Sequence, residues 1–145
     1  MLALIQRVNY ARLRIENSLH GEIGVGLLAL VGIEKDDSVE SIDKLVDKIL
    51  AYRVFSDEEG KMNLSLKDIE GELMLVSQFT LAATTDKGLR PGFSSAKPPA
   101  EAEMLYDKMV SRAQQIHGSV VSGVFAADMQ IALENNGPVT FLLKV

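Results

Sequence analysis

The chain has 145 residues, 47% of them hydrophobic, which fits one domain spanning residues 1–145 with a core that needs no staples. The absence of cysteine excludes disulfides, thiolate catalysis and Cys-ligated metal centres, and with only two histidines, His20 in a predicted turn and His117 near a predicted helix end, a paired-His metal site would have to be assembled from two distant surface positions. A net charge of −5 argues against a general nucleic-acid coat protein that relies on a broad basic face, and leaves room for binding one end of an RNA. The apolar start stops at Arg7 without a signal-peptide pattern and no run reaches membrane-spanning length, so a cytoplasmic protein is expected.

Residues 2–8 and 11–15 read as two strands, the second alternating Leu13 and Ile15 with Arg12 and Arg14. Arg7 is then either a solvated strand residue or a guanidinium fork for a carbonyl or phosphate. Gly24-Val-Gly26-Leu-Leu-Ala29 formally satisfies a dinucleotide fingerprint. It precedes the apolar run 27–33, a buried strand, instead of opening a helix, so these are read as turn glycines. Asp37 with Glu40 makes a capping-box-like start, and Ile42, Leu45, Val46, Ile49 and Leu50 follow at helical spacing as the buried face of a helix. Polar turns are expected at residues 56–60 and 67–71.

The stretch 74–81, Met-Leu-Val-Ser-Gln-Phe-Thr-Leu, runs an apolar strand straight into Ser77, Gln78, Phe79 and Thr80. Two readings fit. One is an ordinary strand with edge hydroxyls; the other is a set of hydroxyls, an amide and freed backbone N–H groups able to bind a developing oxyanion. Residues 82–99 form a long loop whose Lys87, Arg90 and Lys97 follow Asp86 without another acid, making it the best candidate for touching phosphate. Pro98 and Pro99 open a helix to His117, stopped by Gly118, with Ala102, Leu105, Met109, Ala113 and Ile116 as its core stripe. Strands are predicted at 120–126, 129–133 and 139–145, the last two separated by Asn135-Asn136-Gly137-Pro138, a strong turn signal. The order of elements indicates an α/β chain with a curved sheet and two helices on one side, not a doubly wound parallel fold.

With Ser77-Gln-Phe-Thr-Leu81 and Asn136-Gly-Pro-Val-Thr140 both present, the chain resembles the D-aminoacyl-tRNA deacylases, formerly D-tyrosyl-tRNA deacylases. The likeness extends from Gln6-Arg7-Val8 through Gly26-Leu-Leu, Tyr52-Arg-Val-Phe-Ser-Asp57, Gly60-Lys-Met-Asn63 and Arg90-Pro91 to Phe125-Ala-Ala-Asp-Met129. Asn136 and Gly92 depart from the residues frequent in that family, Asp and Ser. The resemblance implies a three-layer β/β/α fold with barrel-like curved sheets. It further implies a homodimer with active sites at the interface, and a cis Gly137-Pro138 bond that enters the partner's pocket.

The implied reaction is hydrolysis of the ester of D-aminoacyl-tRNA, and of mischarged glycyl-tRNA, as a chiral proofreading step in translation. No cofactor, metal, membrane or DNA is implied. Ser77, Gln78, Phe79 and Thr80 would be catalytic, Gly137 and Pro138 would reject L substrates, and Arg7, Met129 and Asn136 would support binding or the motif. Two mechanisms are open: Thr80 as nucleophile forming an acyl-enzyme, or an RNA-assisted route in which the substrate 2′-hydroxyl helps activate water while the Phe79 N–H holds the oxyanion. The second is favoured because no side-chain base is predicted beside Thr80. Two other readings are a non-catalytic module for the 3′ end of aminoacyl-RNA, which would need Lys87 and Arg90 but not Ser77 to Thr80, and a small structural dimer.

Overall fold

A computed structural model describes residues 1–145. Strand β1 (Leu2–Ile15) is the spine of the sheet, and it is continuous, where the sequence suggested two strands with a break. Pairing on both edges overrides the local polar residues Asn9 and Tyr10. One edge carries β3 (Gly26–Gly32) beside residues 2–8 and β2 (Ser18–Ile23) beside residues 11–15. The other edge carries β8 (Met129–Lys144) from end to end. His20 and Gly21 therefore lie in a strand and not in a turn.

β3 continues in parallel to β6 (Glu72–Ser77), and β6 in parallel to β7 (Val120–Ser122). This parallel arm is buried on both sides, which is why its strands read as unbroken apolar runs. Leu27, Ala29, Val31, Leu73 and Leu75 face the large core beneath the helices. Leu28, Met74 and Val76 face a smaller core shared with Val8, Ala11, Leu13 and Ile23. Gly26 is a strand residue, not a turn glycine: a Cβ there would overlap the Glu72 carbonyl oxygen and come within 2.7 Å of its carbonyl carbon. The glycine lets two parallel strands approach where any side chain would separate them.

Helices α1 (Val39–Ala51) and α2 (Pro99–His117) cover the face of the larger core. All five predicted α1 core residues are buried. Its start differs from expectation: Ser38 is the N-cap and its N–H donates to Ser41 Oγ at 3.2 Å. Asp37 is drawn instead to the N-terminal ammonium at 2.6 Å. In α2, Pro99 sits in the first turn, and Tyr106 joins Ala102, Leu105, Met109 and Ala113 in the core while Ile116 is half-buried. A short ribbon, β4 (Phe55–Ser56) and β5 (Met62–Leu64), closes the α1 side. The result is two helices on a mixed, nearly closed, barrel-like sheet, in agreement with the expected layers. No helix is long and apolar enough to cross a membrane.

The last third departs most from expectation. The strand predicted over 120–126 ends at Ser122, and the two strands predicted at 129–133 and 139–145 are one strand, β8. The Asn-Asn-Gly-Pro signal does not end the strand but distorts it. Gln6 pairs with Thr140 and Val8 with Asn135, so Asn136, Gly137, Pro138 and Val139 all lie opposite Arg7 alone. The Gly137-Pro138 bond is cis.

Candidate active site at the end of β6

Pairing of β6 with β3 stops at Ser77 opposite Val31, and the Gln78 N–H makes the last bond to β3, at 2.7 Å from the Val31 carbonyl. The chain then turns into a short 3-10 helix, Phe79–Ala82, so the predicted strand ends before Phe79. The N–H groups of Phe79 and Thr80 fall in its first turn, where no acceptor within the helix can reach them. Gln78 Nε2 donates to Thr80 Oγ1 at 2.6 Å, fixing both side chains at the corner.

This corner opens on a cleft of about 510 Å³. Its floor is Val31, Ile33 and Val76, its β6 end is Ser77, Gln78 and Phe79, and one wall is Lys97, Pro99 and Ala102 from the start of α2. The facing lip is residues 125–129, Phe-Ala-Ala-Asp-Met, with Ile131 behind it. Ten of the fifteen lining residues are hydrophobic, so polar groups in the cleft are few and placed.

The lip is held from below. Gly123 N–H donates to the Leu75 carbonyl at 2.8 Å. The Tyr106 hydroxyl lies 2.9 Å from that carbonyl and 3.2 Å from the Gly123 carbonyl, and its ring packs on Phe125 with centroids 6.2 Å apart. Burial pushes the Tyr106 phenol well above its ordinary range, so it serves as a neutral donor.

Two groups of expected site residues emerge. Ser77, Gln78, Phe79 and Met129 line the cleft, with Thr80 bonded to Gln78 at its edge. Arg7, Asn136, Gly137 and Pro138 form a second constellation that does not line it within the protomer. There Arg7 Nε donates to the Asn136 carbonyl at 2.9 Å and Nη1 to the Val54 carbonyl at 2.6 Å. The guanidinium thus holds carbonyls as a fork, but they are carbonyls of its own chain. Asn135 Oδ1 accepts the Val139 N–H at 2.8 Å and Asn136 Nδ2 donates to Asn9 Oδ1 at 3.0 Å, so the exposed Gly137 and Pro138 are braced at both shoulders.

Lys87 and Arg90 lie at the exposed tip of the loop after β6, beyond the Thr84 and Gly92 pair that closes it. Phe93 on the returning leg packs against Phe79 with centroids 5.0 Å apart, tying this basic tip to the cleft. His20 is exposed, and His117 Nε2 lies 2.7 Å from the Gly71 carbonyl, a structural contact at the end of α2. Asp128 has no role that the sequence alone assigns, and Lys97 only a share in the charge of the loop. The only signal for Asp128 is its place in the Phe-Ala-Ala-Asp-Met string, and nothing marks Lys97 as the loop cation that folds back.

Comparison with known proteins decides the class. Residues 4–144 match the family described as D-Tyr-tRNA(Tyr) deacylase. The chain belongs to that family. A D-aminoacyl-tRNA deacylase of Pseudomonas fluorescens strain SBW25 is 59% identical over 144 residues, covering 99% of each chain. One of Cellvibrio japonicus is 53% identical over 145 residues, covering 100% of this chain and 99% of its own. Among solved structures, that of a protein called c-Myc DNA Unwinding Element Binding Protein superposes with a TM-score of 0.95 at 36% identity, covering 100% of this chain and 99% of that one. A probable eukaryotic D-amino acid tRNA deacylase superposes with a TM-score of 0.89 at 17% identity, a likeness of fold, over 99% of this chain and 98% of that one. As a member of the deacylase family the chain is a hydrolase acting on the aminoacyl-tRNA ester bond.

Proposed function

We propose that this chain hydrolyses D-aminoacyl-tRNA, and glycyl-tRNA, as a cytoplasmic chiral proofreading enzyme, at a site completed by two copies of a single-domain protomer. The reading rests on one observation: in a chain of this family, the cleft at the end of β6 offers main-chain donors but no activated nucleophile. An aminoacyl ester is already activated by its own ammonium and the vicinal ribose hydroxyl. Positioning and oxyanion stabilisation therefore suffice. The Phe79 N–H holds the developing oxyanion, and the substrate 2′-hydroxyl helps activate water. The Thr80 hydroxyl supports this over an acyl-enzyme route, because its hydrogen-bond partner is the Gln78 amide, which cannot take a proton.

The Gly137 and Pro138 bulge of one copy enters the cleft of the other. Supporting this, the bulge is exposed and braced from behind by Arg7, yet lies outside its own cleft. Large apolar side chains are bare both on β8 and at the cleft, with Leu142 60% and Phe79 62% exposed. Gly137 has no Cβ, so its carbonyl can stand against the substrate Cα, leaving room for hydrogen or a D side chain but none for an L side chain. Lys87 and Arg90 meet phosphates of the RNA end. The DNA in the name of one structural relative is not carried over, since a net charge of −5 supplies no broad basic face.

The test is incubation of the wild type and Thr80→Ala with D-aminoacyl-, L-aminoacyl- and glycyl-tRNA, with sedimentation at assay concentration. D and glycyl esters are hydrolysed, L esters are spared, and Thr80→Ala keeps most of the activity. An acyl ester trapped on Thr80 rules out the RNA-assisted route. Binding without turnover makes the protein a non-catalytic module, and an active monomer removes the composite site.

A further inference from the structure

We propose that the tip of the loop after β6, Lys87 to Arg90, is a landing point for the unpaired 3′ strand of the substrate RNA, where Leu89 packs on a base upstream of the esterified nucleotide. The inference rests on the reading that an aminoacyl-RNA ester occupies the cleft, and adds to it the path of the strand behind the ester. Leu89 is wholly exposed, at 106%, and no other large apolar side chain stands so far into solvent. A single bare leucine is ordinary on a protein surface and by itself asks for no partner. Here it stands between Lys87 and Arg90, both exposed and neither engaged in any of the protomer's ion pairs. An apolar side chain between two free cations matches a single strand of RNA, which offers the face of a base between two phosphates.

The loop is built to hold this tip out. Thr84 and Gly92 close its neck with two main-chain bonds, of 2.8 and 3.0 Å, and a Cβ on Gly92 would stand 2.6 Å from Thr84 Oγ1, so glycine lets the two legs meet. Below the neck the Ser95 hydroxyl donates to the Ala82 carbonyl, the Lys35 N–H to the Ser95 carbonyl at 2.9 Å, and the Lys97 N–H to the Ile33 carbonyl at 3.1 Å. Gly88, at φ +71° with open space around it, turns the chain at the tip. The returning leg leads back to the cleft, because Phe93 packs on Phe79 with centroids 5.0 Å apart. Four residues separate Leu89 from Phe93, so the backbone of the tip lies within about 14 Å of that contact.

Electrostatics favour this route for the strand. The chain carries −5 overall, so a polyanion is repelled by the body and drawn to places where cations stand without acids. From Thr84 to Lys97 only Asp86 opposes Lys87, Arg90 and Lys97, and Lys97 is turned inward, its Nζ donating to the Lys35 carbonyl at 2.7 Å. The two outward cations fix the path of the strand through its phosphates. A base held on Leu89 then fixes how far along that path the strand runs, which seats the ester at Phe79.

The experiment compares wild type, Leu89→Ser and Leu89→Trp on D-aminoacyl-tRNA and on D-aminoacyl-adenosine, the same ester without the upstream strand, with sedimentation of each protein. Leu89→Ser should raise KM for the tRNA about five-fold, near the lower limit for a base that loses its packing partner, with kcat little changed. It should leave KM for D-aminoacyl-adenosine at the wild-type value, and Leu89→Trp should restore the tRNA KM, since an indole face also packs on a base. In the double variant Lys87→Ala with Arg90→Ala, the slope of log KM for the tRNA against log salt concentration should fall by about 1.4, from about 0.7 for each single-strand phosphate contact. Equal losses by Leu89→Ser on both substrates would assign Leu89 to the shape of the loop, and a smaller sedimentation coefficient would assign the tip to a contact between copies. Either result overturns the proposal, as does a Leu89→Ser enzyme with wild-type KM on the tRNA. A wild type inactive on both substrates would remove the underlying reading and this inference with it, whereas an active wild type with a silent Leu89→Ser removes this inference alone.

Discussion

Arg7→Ala tests how the bulge on β8 is held. The guanidinium makes two charge-assisted bonds, Nε to the Asn136 carbonyl at 2.9 Å and Nη1 to the Val54 carbonyl at 2.6 Å. Bonds to charged groups contribute about 1.5–3 kcal/mol when sheltered and less when water competes. The Asn136 bond is exposed and is counted at about 0.5–1 kcal/mol; the Val54 bond is partly buried and is counted at about 1.5–2 kcal/mol. Removing both costs about 2–3 kcal/mol, and Val54, only 1% exposed, keeps a carbonyl with poor access to water. For a chain of this length that is a fall in Tm of about 6–12 °C. Arg7→Lys recovers less than half, since one ammonium on a flexible stem cannot reproduce a fork to two carbonyls. Thermal and urea unfolding give the stability, and the D-over-L deacylation ratio reports on Gly137 and Pro138. An Arg7→Ala protein melting within about 2 °C of wild type with an unchanged ratio would refute the assignment of Arg7 as the brace.

Gly26→Ala should cost well over the about 1–3 kcal/mol of ordinary overpacking, because the new Cβ meets Glu72 backbone and no rotamer relieves it; soluble yield and circular dichroism check this, and a near-native melt would contradict it. Tyr106→Phe should lose about 1–2 kcal/mol by leaving the Leu75 and Gly123 carbonyls short of a donor, and should lower deacylation as the lip loosens; urea unfolding paired with kinetics measures both. Asp57, bonded by the Asn63 side chain and by the Lys61 N–H, and Asp68, bonded by the Ser65 hydroxyl and N–H, are both held below the ordinary carboxyl value of 3.8. A depressed folded pKa means that the stability they contribute is full above the unfolded value and is lost as pH falls through the folded one. Melts should therefore weaken below about pH 4, and less steeply in Asp57→Asn and Asp68→Asn; identical acid profiles would contradict this.

What was legible in the sequence is what local pattern decides. The α1 stripe from Ile42 to Leu50 and the α2 start at Pro99 follow from the helical period and from proline's fit in a first turn. The runs at Leu27 and Met74 are unbroken because sheet covers one face and helix the other, so burial could be read without knowing the partners. The string Ser77 to Thr80 was also local, since it marks a strand end.

Tertiary pairing decided the rest. Asn135 to Pro138 looks like a strand terminator because its turn chemistry is strong, but β1 offers a partner on both sides of it, and the two flanks become one strand with a bulge opposite Arg7. Asp37 looks like a cap, but a nearby ammonium competes for its carboxylate and Ser38 takes the position. Most of all, no periodicity places Asp128 and Met129 next to Ser77. That meeting depends on the chain leaving β6, crossing through α2 and returning in parallel as β7, after which Gly123 bonds to Leu75 and swings the lip over the strand end. A hydrogen bond between residues this far apart along the chain is invisible to any local pattern, because its partners are chosen by how the strands stack and not by what stands beside them in sequence.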